Sequence, residues 1–327
     1  MRYLPIVVVA SIALNITQSL KAADVGADVF VVRTEALPIK TLTLSDAQFL
    51  RGDASGPPTT IAGTLRIAKG EGRLPLVVFL HGSSGLGANL DVWGRQFQEM
   101  GISTFALDSF SGRGIFSTVD DQSLLGRLNM ILDLYRSLAV LAAHPRVDPS
   151  RIAAMGFSRG AHATLYASLK RFQKLWNASG IEPAAYIALY PSCITSYIDD
   201  TDVSDRPIRI FSGMSDDYVE IGPCRDYVDR LRGTAKDVKL VEYPDTWHAF
   251  DNPMLPATPI VVANAQTTHC ILKEGPVGVI INTETRRPHI KTDSCIDRNP
   301  HEAYSKPATE ATEASVKGLL RAVFKLN

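Results

Sequence analysis

The chain has no excess of either charge: 34 Lys and Arg stand against 34 Asp and Glu in 327 residues. Nucleic acids and anionic membranes usually call for a basic excess, so neither is expected as the main partner. Cysteine is scarce, four in all, too few for a disulfide scaffold. No G-x-x-x-x-G-K-[ST] or G-x-G-x-x-G occurs, which removes the commonest phosphate and dinucleotide cradles. No His/Cys cluster has metal-ligand spacing, and no internal repeat is visible. No apolar run reaches the about 20 residues of a membrane helix. With 45% hydrophobic and 21% charged residues, the composition is that of an ordinary globular protein.

One short apolar run stands at the start. Arg2 precedes Leu4 to Ile16, and small residues follow at Ala22, Ala23 and Ala27. These are the length and flanks of a secretory signal peptide, assigned to residues 1–23, with cleavage near Ala22 to Ala27. No cysteine follows the run, so a lipid anchor is not expected. A secreted or periplasmic protein without a stable membrane anchor is the expectation, and an oxidising compartment would let the cysteines pair.

Leu74 to Leu80 and Ile102 to Leu107 are continuous apolar runs, as in strands covered on both faces. Thr59 to Ile67, Ile152 to Met155, Ala185 to Leu189, Ile208 to Phe211 and Val238 to Tyr243 read as further strands. Helices fall between them. Leu124, Leu128, Ile131, Leu132, Tyr135 and Leu138 share one helical face. Pro223 to Leu231 starts with proline and is followed by Gly233. Val316, Leu319, Leu320, Val323 and Phe324 form a final helix face. Alternating strands and helices predict an α/β protein with a mostly parallel sheet. The core is assigned to residues 24–252 and to a C-terminal helix at 307–327. Residues 253–306 break the alternation and read as an inserted β-rich lobe, with strand-like pieces at Ile260 to Val262 and Val277 to Ile281.

Gly156-Phe157-Ser158-Arg159-Gly160 fits G-x-S-x-G between a strand and a helix. A serine on such a sharp turn is strained and exposed, with glycines where a Cβ would crowd the backbone. A serine hydroxyl needs a base, and in this architecture an acid and then a histidine follow in chain order. Asp216 and Asp217 follow the strand ending at Phe211. His248 follows the strand ending at Tyr243. An oxyanion needs backbone donors: the N–H of Arg159, and one from His81-Gly82-Ser83-Ser84-Gly85, where Ser83 is favoured over Ser84.

His81 to Gly85, Asp108-Ser109-Phe110 with Arg113-Gly114, the serine motif, Tyr190-Pro191-Ser192-Cys193, Gly213 through Cys224, and His248-Ala249-Phe250-Asp251 together resemble the dienelactone hydrolase family of α/β-hydrolases. The likeness runs from about Thr60 to Asn252 and resumes at about Ala303. It implies the α/β-hydrolase fold, no metal or organic cofactor, and a small-molecule ester or lactone as substrate. Its pattern puts the acid three residues after Gly213, at Asp216. Prototypes of the family use a cysteine nucleophile, whereas Ser158 stands here, which favours a general esterase. The lobe looks like an insertion in an exported branch.

In a parallel sheet, the loops bearing Cys193 and Cys224 share one rim, and Cys270 and Cys295 both lie in the lobe. The expected bridges are Cys193–Cys224 and Cys270–Cys295. A serine peptidase on the same scaffold, or a non-catalytic binding protein that kept the fold, are the competing readings. Nothing in the sequence fixes the oligomeric state.

Overall fold

The computed structural model describes residues 30–326. The signal-peptide assignment lies outside the described residues. Among these residues, nine strands and six α-helices precede position 253: β1 (Val31–Leu42), α1 (Asp46–Arg51), β2 (Pro58–Ala68), β3 (Leu74–Leu80), α2 (Ala88–Glu99), β4 (Ser103–Asp108), α3 (Asn129–Ala142), β5 (Val147–Phe157), α4 (Arg159–Tyr166), α5 (Lys170–Trp176), β6 (Tyr186–Leu189), β7 (Thr195–Ser196), β8 (Ile208–Gly213), α6 (Gly222–Leu231) and β9 (Val238–Tyr243). Eight of the strands form one sheet in the order β1-β2-β4-β3-β5-β6-β8-β9. The β1-β2-β4 edge is antiparallel, and every pairing from β4 to β9 is parallel. This is the α/β-hydrolase fold.

Burial explains the strands. In β3 every residue after Leu74 is buried, because helices cover both faces. One core lies between the sheet and α1, α3, α4, α5 and α6. On the other face Trp93 and Phe97 of α2 meet Val316, Leu320 and Phe324 of the last helix, α7 (Lys306–Phe324). All the parallel strands end on one rim, so the loops after β3, β5, β8 and β9 gather there.

Two sequence expectations are corrected. The helix expected from Leu124 starts only at Asn129. Leu124 lies in a short 3₁₀ turn, is 54% exposed, and follows Asp121, whose side chain caps that turn. Asn129 marks the true start: its Oδ1 accepts the N–H of Leu44 and its Nδ2 donates to the Leu42 carbonyl. The strand expected over Val277 to Ile281 begins at Ile280. Pro276 to Gly278 form a 3₁₀ turn with Val277 at φ 52°. A Cβ on Gly278 would stand 2.8 Å from the Ala47 carbonyl oxygen, so close approach of α1 sets this turn.

Residues 253–306 carry seven short strands: β10 (Ile260–Val261), β11 (Gln266–Thr268), β12 (Leu272–Glu274), β13 (Ile280–Asn282), β14 (Arg287–Pro288), β15 (Ile296–Arg298) and β16 (His301–Glu302). The segment is stitched to the core. β12 pairs in parallel with β7. The Arg171 guanidinium meets both carboxylate oxygens of Glu274 at 2.7 Å. Its two ends close beside the loop after β9: the N–H of Ala303 donates to the His248 carbonyl, Tyr304 to Pro256 and Ser305 to Phe250.

Candidate active site

β5 runs straight into α4 through Ser158, whose φ is 51°. For a serine that region costs about 1–3 kcal/mol and needs support from its surroundings. The two flanking glycines supply it. A Cβ on Gly156 would fall 2.1 Å from the Gly160 carbonyl oxygen, and one on Gly160 would fall 2.1 Å from that of Leu80. The turn therefore closes only with glycine at both places, and it pushes the Ser158 side chain above the sheet.

His248 Nε2 lies 2.9 Å from Ser158 Oγ, and His248 Nδ1 lies 2.7 Å from Asp216 Oδ2. The other carboxylate oxygen of Asp216 accepts the N–H groups of Tyr218 and Val219 at 3.0 and 2.8 Å. An Nδ1–H donated to Asp216 leaves the Nε2 lone pair facing the serine hydroxyl. Burial pushes the His248 imidazole down. The Asp216 carboxylate and its hydrogen bond, aided by Glu302 and Asp251, outweigh this and hold it above its ordinary value.

The adjacent aspartates face different ways. Asp217 turns to the lobe and accepts both the backbone N–H and the Nδ1–H of His301, at 2.8 and 2.7 Å. Behind His248, the buried Asp251 accepts from Tyr190 Oη at 2.6 Å and Trp93 Nε1 at 2.8 Å. The Tyr190 ring packs edge-on against His248 with centroids 4.6 Å apart. Tyr190 and Asp251 thereby brace the histidine loop.

Gly82 brings the loop after β3 over the serine: a Cβ there would be 3.5 Å from Ser158 Cβ. The N–H groups of Ser83 and Arg159 donate to no backbone carbonyl among the described residues. Both are free for a ligand oxygen. Ser83 Oγ exchanges hydrogen bonds with the Gln122 amide, while Ser84 points to solvent. His81 shapes the loop, with Nδ1 donating to the Gly82 carbonyl and Nε2 accepting from the Ser109 N–H. Burial pushes its pKa down. His162 is likewise buried, bonded to Ser192 and Tyr197, and pushed down to about 3 by burial first and Arg127 second. Arg113 stays away from the site, in a buried pair with Asp133 at 2.7 Å.

Two cavities flank Ser158. One, of about 50 Å³, runs past Arg127, Arg159 and Tyr218. The other, of about 150 Å³, runs past Tyr190, Tyr218, His248 and Glu302. Sequence reasoning missed Arg127, Tyr218 and Glu302. The only signal for Tyr218 was its place two residues after Asp216, and for Glu302 its place where the family likeness resumes. The bridges Cys193–Cys224 and Cys270–Cys295 are both present. The first fastens the loop after β6 to the start of α6, just beyond the acid loop. Cys270, His289 and Asp293 group their ligand atoms, but Cys270 is bridged and Asp293 is taken up by His289 and Asn282, so no open metal set results. Among the described residues no helix is long and apolar enough to cross a membrane.

Comparison with known proteins agrees with this fold. A solved dienelactone hydrolase-like promiscuous phosphotriesterase from metagenomic libraries is similar in fold, with 16% identity and a TM-score of 0.54, over 89% of this chain and 98% of that one. A structure named m3DLH is similar at 19% identity and a TM-score of 0.55, over 89% and 98%. No curated protein matches the chain. Residues 61–269 match the dienelactone hydrolase family. That match spans well over half of the chain, which therefore belongs to the dienelactone hydrolase family of α/β-hydrolases and is a carboxylic ester hydrolase.

Proposed function

We propose that the protein is an exported serine hydrolase that cleaves small carboxylic esters or lactones through an acyl-enzyme. One observation carries the reading: the unbroken line from Ser158 Oγ through His248 to Asp216, at 2.9 and 2.7 Å, at the floor of a cavity. Ser158 Oγ attacks the ester carbonyl while His248 Nε2 takes its proton. Asp216 keeps the imidazole in the right tautomer and stabilises the imidazolium. The Ser83 and Arg159 N–H groups receive the oxyanion, each worth about 3–4 kcal/mol in comparable sites. The tetrahedral intermediate expels the alcohol, which takes the proton from His248. Water, deprotonated by the same His248, then cleaves the acyl-serine. Two disulfides support export, since such bonds persist in oxidising compartments. Residues 253–306 serve in this reading as an inserted lobe on the hydrolase core.

A fluorophosphonate probe should label the wild type and not Ser158→Ala. A panel of p-nitrophenyl esters, lactones and peptide amides should show ester and lactone turnover. Turnover of amides alone would move the reading to a peptidase. An unlabelled wild type with no turnover would make it a binding protein. Amino-terminal sequencing of the protein recovered outside the cell should begin within a few residues of Ala22 to Ala27.

A further inference from the structure

The larger cavity beside Ser158 has an uneven charge. No lysine or arginine lines it, and its one carboxylate is Glu302, contributed by β16 of the lobe. Glu302 pairs its backbone with that of His248 through an isolated bridge. Its carboxyl is pushed up by burial, with opposing effects from His248 and Asp216, and it has no side-chain hydrogen bond among the described residues. The charge of Glu302 acts on Tyr190, Tyr218 and His248, three side chains that ring the same cavity. Glu302 lines that cavity together with all three.

Tyr218 gives a second, independent sign. The residue is only 8% exposed, and its Oη is buried with no hydrogen-bond partner. The ring packs 4.7 Å from His248, and the side chain borders both cavities. A buried hydroxyl left unpartnered is costly, and few survive in native proteins without a ligand, water or function to explain them. The Glu302 carboxylate lines the same cavity, without a hydrogen-bond partner among the described residues. A ligand group that donates several hydrogen bonds and carries positive charge satisfies both at once. A protonated amine can give one N–H to Glu302 and another to the Tyr218 oxygen. A neutral hydroxyl offers the hydrogen bonds but leaves the carboxylate uncompensated.

We propose that Glu302 and Tyr218 form a subsite for a protonated amine carried by the substrate, next to the ester bond that Ser158 attacks. This rests on Ser158 as the nucleophile and deepens that reading by naming the substrate class.

The test uses the full mature chain and two series of matched chain length. The acyl series consists of p-nitrophenyl esters of ω-amino, ω-hydroxy and unsubstituted acids. The alcohol series consists of acetates of the corresponding alcohols. In one series the wild type should prefer the amino ester over the unsubstituted one by about tenfold or more in kcat/KM, mostly through KM, the scale of one charge-assisted hydrogen bond. Glu302→Gln should bring that ratio close to one, and Tyr218→Phe should lower it part of the way. Because the ratio is taken within one protein, partial loss of folded enzyme does not alter it. Equal rates for all three esters in both series, a hydroxy ester preferred over the amino ester, or a preference that survives Glu302→Gln would each overturn the proposal. Turnover of the unsubstituted esters together with probe labelling would leave the hydrolase reading standing in any of these cases. Loss of both would count against the nucleophile instead.

Discussion

The hydrolase core and the lobe are held together by different means. The core closes on apolar strands such as β3, buried along its length after Leu74, with helices on both faces. The lobe has strands of two or three residues, and its small buried apolar cluster is Cys270 and Leu272 packed on Ile194 of the core. It relies instead on one disulfide, the Arg171–Glu274 ion pair and the hold of Asp217 on His301. The difference teaches where rigidity has to come from. Strands that fill a sheet inherit their position from packing. A small excursion cannot bury enough apolar surface and must be tied down by covalent and polar bonds.

If that division is right, damage to the core should stop the chemistry, while damage to the lobe should change its terms. The largest contrast lies between neighbours. Asp216→Asn should lower kcat by about 10⁴ through the wrong imidazole tautomer, as in other serine triads. Asp217→Asn frees only His301 and should cost less than about tenfold. Steady-state kinetics on one good ester decides, and equal losses would erase the distinction.

Next come the glycines of the serine turn. Gly160→Ala sets a Cβ against the Leu80 carbonyl at 2.1 Å and should destabilise the core by about 3 kcal/mol or more, read from urea unfolding. Gly318→Ala, on α7 with open space around it, should be neutral or slightly stabilising.

The two disulfides sharpen the comparison further. They span 31 and 25 residues, so chain entropy assigns each roughly 3–4 kcal/mol. Replacing Cys193 and Cys224 by serine should lower the global unfolding midpoint and the activity together, because the bridge fastens the start of α6. Replacing Cys270 and Cys295 should show mainly as faster amide exchange within residues 266–298. Equal global effects would mean that core and lobe unfold as one unit.

The smallest effect concerns pH. His248 must be neutral to accept the serine proton, and its pKa lies above the ordinary value. The acid limb of kcat/KM for a neutral ester should therefore fall at a higher pH than an ordinary histidine sets. Burial opposes this, while Asp216, Glu302 and Asp251 favour the charged form. Glu302→Gln removes one of those charges, so the limb should move to lower pH. An unmoved or rising limb would show that the lobe does not reach the base electrically.

Legibility followed the same boundary. The apolar runs, the glycines around Ser158 and the order serine, acid, histidine lay open in the sequence because each follows from a local physical demand. Short polar features did not. The helix α1 is nucleated by a capping box in which Ser45 and Gln48 satisfy each other, a signal carried by two residues. The start of α3 was obscured because Leu124 continues the apolar spacing while Asn129 makes the tertiary hydrogen bonds that set the true boundary. Beyond its place where the family likeness resumes, Glu302 gave no signal, because nothing local brings β16 against His248. That pairing depends on how the lobe returns, across more than fifty residues that carry almost no periodicity.

The closing of the lobe's two ends beside the histidine loop has an engineering consequence. Three main-chain hydrogen bonds, from Ala303, Tyr304 and Ser305, fasten the return path to His248, Pro256 and Phe250. Because these bonds join main chain to main chain, they do not depend on which side chains the stretch carries, and lengthening one of its exposed turns costs only the logarithm of loop closure. A turn lengthened there leaves the return path in place, with one side chain, at the position of Glu302, set down next to His248.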